Sequence, residues 1–352
     1  MMILRGVILT VLIFFTLSAI SDEVPLGPRV LFDEDFFWVT KEGADKLVET
    51  AKASGFNIIV PCVWHGRGAS WDSSIIGKDA KLKEVDLKRH DALSYLISIA
   101  HKNDIEVHPW FTVFLRQADI YPKFTDPSIG AMFNIHDREF HQIINQVIMD
   151  VVRNYDIDGV NLDYIRSKKV CDSAACADDY EKRYSRSLHA DILTKSVNPA
   201  ARRNIERWQK QAVIDAVRLI SGSVRSYNPD LIISVDTLVN DVLWGEFGAD
   251  AVTWLNEGLV DIAYHMDYTK TLNKPFIKKA YQQLEEPWRM IVLMGNFKFE
   301  GETSVARSDE LVAKLYREAL ELSPNGSVGM YEYRFVTPGQ INDFSRVNLP
   351  LK

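Results

Sequence analysis

A barrel of eight strands and eight helices, (β/α)8, is the fold this sequence predicts, on three observations. Strand and helix patterns alternate along the chain, the long connections follow strands while the returns from helices are short, and no Gly-rich phosphate loop follows any strand, as an open doubly wound sheet would require. A length of 352 residues suits one such barrel, and no repeat, low-complexity tract or linker divides residues 22–352.

The first strand is Arg29–Asp33. Ala44, Leu47, Val48 and Ala51 share one face of a helix over 41–54, which Gly55 stops. Strand two runs from Phe56 to Trp64, and a helix over 91–103 turns Leu93, Leu96, Ile97 and Ala100 inward before strand three, Ile105–Phe111. Helix 138–154 leads to strand four, 160–164, where Val160 and Leu162 alternate with Asn161 and Asp163 at the period of two that a strand requires. Helix 203–227 precedes strand Leu231–Asp236, and a shorter helix near 249–257 precedes strand Val260–Asp267. A helix near 276–285 then precedes strand Met290–Gly295, and helix 308–322 precedes strand Ser327–Glu332. Residues 338–346 supply the eighth helix. The loops over 65–90, 112–137 and 165–202 are the long ones, and in a barrel that set builds the functional face.

Hydrophobic residues at 47% and charged residues at 25% are the balance of a soluble globular protein. A net charge of −7 without a clustered basic stripe argues against nucleic acid or an anionic membrane as partner. Met1–Arg5 is a short basic segment, Gly6–Leu17 is apolar, and Ser18–Ser21 are mostly small, so residues 1–21 read as a signal peptide and a secreted or periplasmic protein is expected. The apolar run Gly6–Ile20 is 15 residues, short for a span of ~20, so no stable membrane span is expected after cleavage. Cys62 lies in an apolar run, where a buried small hydrophobe is the expected role. Cys171 and Cys176 lie in a polar loop where an oxidising compartment permits a local disulfide, a pairing the sequence leaves open.

Most of the strands end in polar residues at the same predicted mouth. They are Asp33 on the first, His65 and Arg67 after the second, His108 and Trp110 on the third, and Asn161, Asp163, Tyr164 and Arg166 on the fourth. Asp236 follows on the fifth, Tyr264, His265, Asp267 and Tyr268 on the sixth, Asn296 on the seventh, and Glu332 with Arg334 on the eighth. One Asp at a strand end is usually a helix cap; convergence of carboxylates with aromatics is what points to carbohydrate. Glycosidic cleavage needs one carboxylic acid for the leaving oxygen and a second carboxylate for the sugar or for water. Aromatic faces pack on the C–H faces of sugar rings, while Arg and Asn reach hydroxyls. His65, Arg67, His108, Trp110, Asn161, Tyr164, Arg166, Tyr264, Tyr268 and Asn296 are accordingly expected to bind substrate. The histidines show no HxH or HExxH spacing, so neither a metal nor another cofactor is expected, and no G-x-S-x-G elbow supplies a serine nucleophile.

The stretch from Tyr155 to Arg166 resembles the signature Tyr-Asp-Val/Ile-Asp-Gly-Ile-x-x-Asp-Tyr-Ile-Arg of glycosyl-hydrolase-like family 10, bacterial glycosidase-like proteins with a TIM-barrel domain. Other blocks fall in the family's order: Gly55-Phe56-Asn57, Ala100 through Phe111, Arg203 through Gln211 and Trp254 through Tyr268. The resemblance covers roughly residues 29–335 and implies that Asp163 is the leading catalytic carboxylate, with Tyr164, Arg166, His108 and Trp110 around it. Arg29-Val30-Leu31-Phe32 stands where the family has an Arg-Gly-Val-Trp-like strand, His265-Met266-Asp267-Tyr268 replaces its Pro-Met-x-Tyr, and Asp104 replaces a Gly. For the second carboxylate Asp267 is the first choice, Asp236 and Glu332 the alternatives and Asp33 the last. The expectation is an exported glycoside hydrolase acting on a poly- or oligosaccharide such as a cell-wall or capsular glycan. The competing readings are a carbohydrate-binding barrel without catalysis and a metal-dependent polysaccharide deacetylase or amidohydrolase.

Overall fold

The computed structural model describes residues 27–238 and 245–349; the expected signal peptide lies outside them. Eight parallel strands close into a barrel, as the alternation predicts. They are β1 (Arg29–Asp33), β2 (Ile58–Trp64), the split third strand β3 (Glu106–Val107) and β4 (Trp110–Thr112), β5 (Gly159–Asp163), β6 (Ile232–Thr237), β7 (Ile262–Asp267), β8 (Met290–Gly295) and β11 (Val328–Tyr331). The ring closes because β1 pairs in parallel with both β2 and β11. The third strand breaks at His108-Pro109 because proline has no N–H to give the ladder. Gly159 opens β5 where the backbones crowd: a Cβ there would lie 2.5 Å from the Ile232 carbonyl oxygen and 3.0 Å from the His108 ring.

Around the ring lie α1 (Lys41–Ser54), α2 (Ala92–His101), α3 (Arg138–Asn154), α4 (Ala174–Tyr184), α5 (Leu188–Thr194), α6 (Pro199–Tyr227), α7 (Ala251–Asn256), α8 (Lys274–Tyr281), α9 (Asp309–Leu322) and α10 (Pro338–Asn348). The caps explain the boundaries. The Thr40 hydroxyl accepts from the Gly43 N–H to start α1, and Gly55 ends it at φ 73°, a left-handed position that glycine takes without strain. α6 begins at Pro199, earlier than periodicity alone predicts, because the Asn198 side chain caps it through the Ala200 and Ala201 amides. The stretch 165–202, expected as a loop, carries α4 and α5. An antiparallel hairpin, β9 (Phe297–Glu300) and β10 (Thr303–Ala306), was also not expected; Gly301 at φ 64° makes its turn.

Two apolar layers result. Val30, Phe32, Val60, Cys62, Trp110, Tyr264, Met266, Ile291 and Leu293 pack inside the barrel. The larger layer, which includes Leu31, Ile59, Phe111, Leu162 and Val235, fills the space between strands and helices. At the end of the barrel opposite the strand tips, a polar latch joins the two ends of the described residues. Arg29 Nε donates to Asn348 Oδ1 at 2.9 Å, and Asn348 Nδ2 donates to the Ser54 carbonyl at 2.9 Å and the Tyr316 hydroxyl at 2.7 Å. Cys171 and Cys176 are joined in a disulfide at the start of α4, which leaves Cys62 a buried free thiol on β2.

Candidate active site

Strand alternation decides which polar residues reach the barrel's interior mouth. Trp110 pairs with Asn161 and Thr112 with Asp163, while Asn161 pairs with Ser234 and Asp236 with Tyr264. In-register residues of parallel strands point the same way. Trp110 and Tyr264 are interior residues, so Asn161, Asp163, Ser234 and Asp236 share their side of the sheet. Asn161 ties two strands together by donating to Ser234 Oγ and Asp236 Oδ1, each at 3.1 Å. Asp163 and Asp236 stand next to one another, one step beyond the paired Leu162 and Val235.

The charges in this corner oppose each other. Burial pushes the Asp163 carboxyl upward, while the Arg166 guanidinium, the Tyr164 amide, the Trp110 indole and Lys168 pull it back. Burial holds Asp236 well above the usual carboxylate range, and the Asp163 charge adds to the effect. The charge of either neighbour makes the other harder to ionise. The Tyr164 amide donates to Asp163 Oδ1 at 2.5 Å, with Tyr164 itself at φ 47°. Arg166 lies 4.4 Å over the Tyr164 ring, which aims a cation at the carboxylate pair. Tyr268 completes the group: burial and the charges of Asp236, Asp163, Glu34 and Glu332 together push its hydroxyl well up.

Beside this group a cavity of about 690 Å³ opens, lined by Glu34, Glu332, Tyr268, Tyr331 and Phe297 among others, with the β9–β10 hairpin forming one wall. Tyr268 stacks on Tyr331 with ring centres 4.9 Å apart, and Phe297 meets Tyr331 edge-on at 5.6 Å. Glu332 has its affinity for a proton raised to about 8 by burial first and Glu34 second. His65 is held neutral, its value lowered to about 3 by burial and then by Arg67 and Lys81. It packs edge-on against Phe36 at 5.2 Å and near Trp110 at 6.4 Å. Arg67 is fixed by the buried Asp79 at 2.7 Å, with Gln117 as a second partner.

Other sequence-expected residues do not join them. Asp267 lies on the opposite face of β7 from Tyr264 and Met266, and both its oxygens are engaged: Oδ1 by the Thr269 amide at 3.2 Å and hydroxyl, Oδ2 by the Asn273 amide at 2.7 Å. It shapes the turn into α8, with His265 beside it at a value lowered to about 4 by burial. His108 sits fully buried at the opposite end of the barrel, against Gly159 and bonded to Glu106 at 3.0 Å. Asn296 is consumed by structure: its Oδ1 accepts from the Glu332 amide at 2.8 Å and its Nδ2 donates to Gln340 at 3.2 Å. Tyr264 is sealed in the barrel core against Phe32 at 5.2 Å. Asp33 is fully buried facing the helix layer, with burial and Glu332 holding it well up.

Glu34 was missed by sequence reasoning. The signal was present in the period of two: Val30 and Phe32 face the interior, so the next residue in that phase is Glu34 and not Asp33. Among the described residues no group of three or more His, Cys, Asp and Glu side chains is arranged to hold a metal ion.

A closed parallel barrel with buried carboxylates and aromatics at its strand tips is the architecture of the (β/α)8 enzymes, whose active sites sit at that face. The chain matches the family model described as Glycosyl hydrolase-like 10 over residues 32–127 and 130–294, and belongs to that family. None of the curated proteins compared with it matches. Among solved structures, the PgaB (BpsB) glycoside hydrolase domain from Bordetella bronchiseptica superposes with a TM-score of 0.68 at 12% identity, covering 92% of this chain and 100% of that one. A GH18 chitinase from Pseudoalteromonas aurantia gives 0.54 at 11% identity, covering 91% and 99%. At such identities the likeness is one of fold.

Proposed function

We propose that this protein is an exported glycoside hydrolase that cleaves a poly- or oligosaccharide with a carboxylate pair that includes Asp163. The observation that carries the reading is the juxtaposition of Asp163 and Asp236 at adjacent strand tips, wired by Asn161 and faced by Arg166, Tyr164, Trp110 and Tyr268. Family membership and a barrel shared with glycoside hydrolases support it. Glycosidic cleavage needs one carboxyl ionised and a second protonated, and unequal influences on neighbouring carboxyls favour ionisation of one of them. Asp163, raised by burial but less than Asp236 because a guanidinium and an amide oppose the rise, takes the ionised role, as nucleophile or as base to water. Asp267, with its oxygens held by the turn, is set aside as its partner. Export rests on the leader-like residues 1–21, and the Cys171–Cys176 disulfide fits an oxidising compartment.

Asp163→Asn tests the reading, assayed as reducing-sugar release across a panel of bacterial cell-wall, capsular and exopolysaccharide substrates. The expected result is a loss of roughly 10³-fold or more with an unchanged melting curve. Full activity in the variant would overturn the assignment. Glycan binding by wild type without turnover would replace it with a binding barrel, and activity abolished by chelator with a metal hydrolase.

A further inference from the structure

Resting on the hydrolase reading, we infer that Glu34 is the acid that protonates the departing glycosidic oxygen. It stands first after β1, in the inward phase of Val30 and Phe32, and lines the cavity in which a glycan has room to lie. Its side chain accepts a hydrogen bond from the Tyr331 hydroxyl, which fixes the carboxyl against the stacked Tyr268–Tyr331 pair. Asp163 is close enough for its charge to act on Glu34, so one acid faces the cavity and the other lies deeper across the mouth, separated round the ring by β2 and the third strand. Asp236 is deeper and bonded to Asn161, and the charges that act most strongly on Glu332 are those of Glu34 and Asp35. Glu34 is thus a carboxyl that is open to the cavity and also within range of the Asp163 charge.

The surrounding groups set its proton affinity. Burial first, then the charges of Asp163 and Asp35, raise it, while Arg67 and Lys81 from the loop after β2 lower it, and the balance is about 7. Glu332, at the end of β11, and Tyr164 and Tyr268, from the loops after β5 and β7, also lie within range of its charge. In the reaction the Glu34 carboxyl gives its proton to the glycosidic oxygen as the C1–O bond breaks and both bonding electrons leave with that oxygen. The leaving sugar departs as an alcohol, and Glu34 is left ionised. A water oxygen then completes C1 and releases one proton, which restores the count at the acid.

The test compares two probes for the same sugar, drawn from a panel of hexose and hexosamine glycosides in both anomers. A 2,4-dinitrophenyl glycoside leaves as a stable phenolate and needs no proton; a 4-methylumbelliferyl glycoside or the natural oligosaccharide needs one. In Glu34→Gln, turnover of the demanding substrate should fall by roughly 10²–10⁴-fold, the dinitrophenyl glycoside should be cleaved within a few-fold of wild type, and the decline of rate above about pH 7 should vanish. Tyr331→Phe keeps the carboxyl but removes a donor that favours its ionised form, so that decline should move to higher pH. Equal losses on both probes, a retained alkaline decline in Glu34→Gln, or its disappearance in Glu332→Gln instead would each overturn the role while leaving the hydrolase reading intact. A wild type that cleaves nothing on the panel, indistinguishable from Asp163→Asn, overturns both.

Discussion

Glu332 carries its carboxyl into the wall of the mouth, where burial and the nearby Glu34 raise its proton affinity from the ordinary 4.5 to about 8. The folded protein therefore holds that proton more tightly than the unfolded chain does. The associated stability is complete below about 4.5 and is lost as pH rises through the folded value near 8. Glu332→Gln, which cannot ionise, should melt above wild type by a few degrees at alkaline pH and lose that advantage in mild acid; circular-dichroism melts across the range check it. A gap that ignores pH would show that the carboxyl is not kept neutral by its surroundings. The same scale shows what could be read from sequence. Asp163, Asn161, Trp110 and Asp236 were legible because composition and strand position agreed on them. Asp267 and Asn296 fall outside that group because a carboxylate or amide at a strand tip serves equally well as a turn or strand fastener, and strand phase with hydrogen-bond partners separates the roles. Glu34 lay in that phase but outside the apolar run, so the run's last residue, Asp33, drew attention instead.

Among elements, the strands and the main helices were legible because burial imposes a period, and their caps refined the ends. The returning segments were not. α4 and α5 present short apolar faces, and the β9–β10 hairpin packs mainly through Phe297, with Phe299 exposed. Such pieces are held by tertiary context more than by their own pattern. The disulfide at the head of α4 illustrates this, since it lies a few residues beyond Arg166 and Lys168, the cations that face Asp163. Closing a loop with a sequence separation of 5 is worth about 2 kcal/mol in chain entropy. Replacing Cys171 and Cys176 together by Ser should lower the urea midpoint accordingly, and reductant applied to wild type should reproduce the shift. No change in midpoint would mean that the neighbouring packing already fixes this segment.

For the molecule as a whole, closure depends on both extremes of the described chain. β1 pairs with β11, and α10 returns Asn348 to Arg29, Ser54 and Tyr316. Asn348→Ala leaves a guanidinium nitrogen, a carbonyl and a hydroxyl without their buried partner. A loss of about 3 kcal/mol in urea unfolding is expected, within the range for breaking a buried polar network; a loss below a few tenths would show that water replaces the amide. Sugar-site variants and latch variants should act independently, because the two lie at opposite ends of the strands.

That latch also sets a direction of attachment. Gly27 and Leu349, the outermost residues described, both lie at the floor of the barrel, on the side away from Asp163 and Glu34. A bead, tag or neighbouring module joined at either place would leave the mouth facing outward, free to meet a polymer too large to diffuse to it.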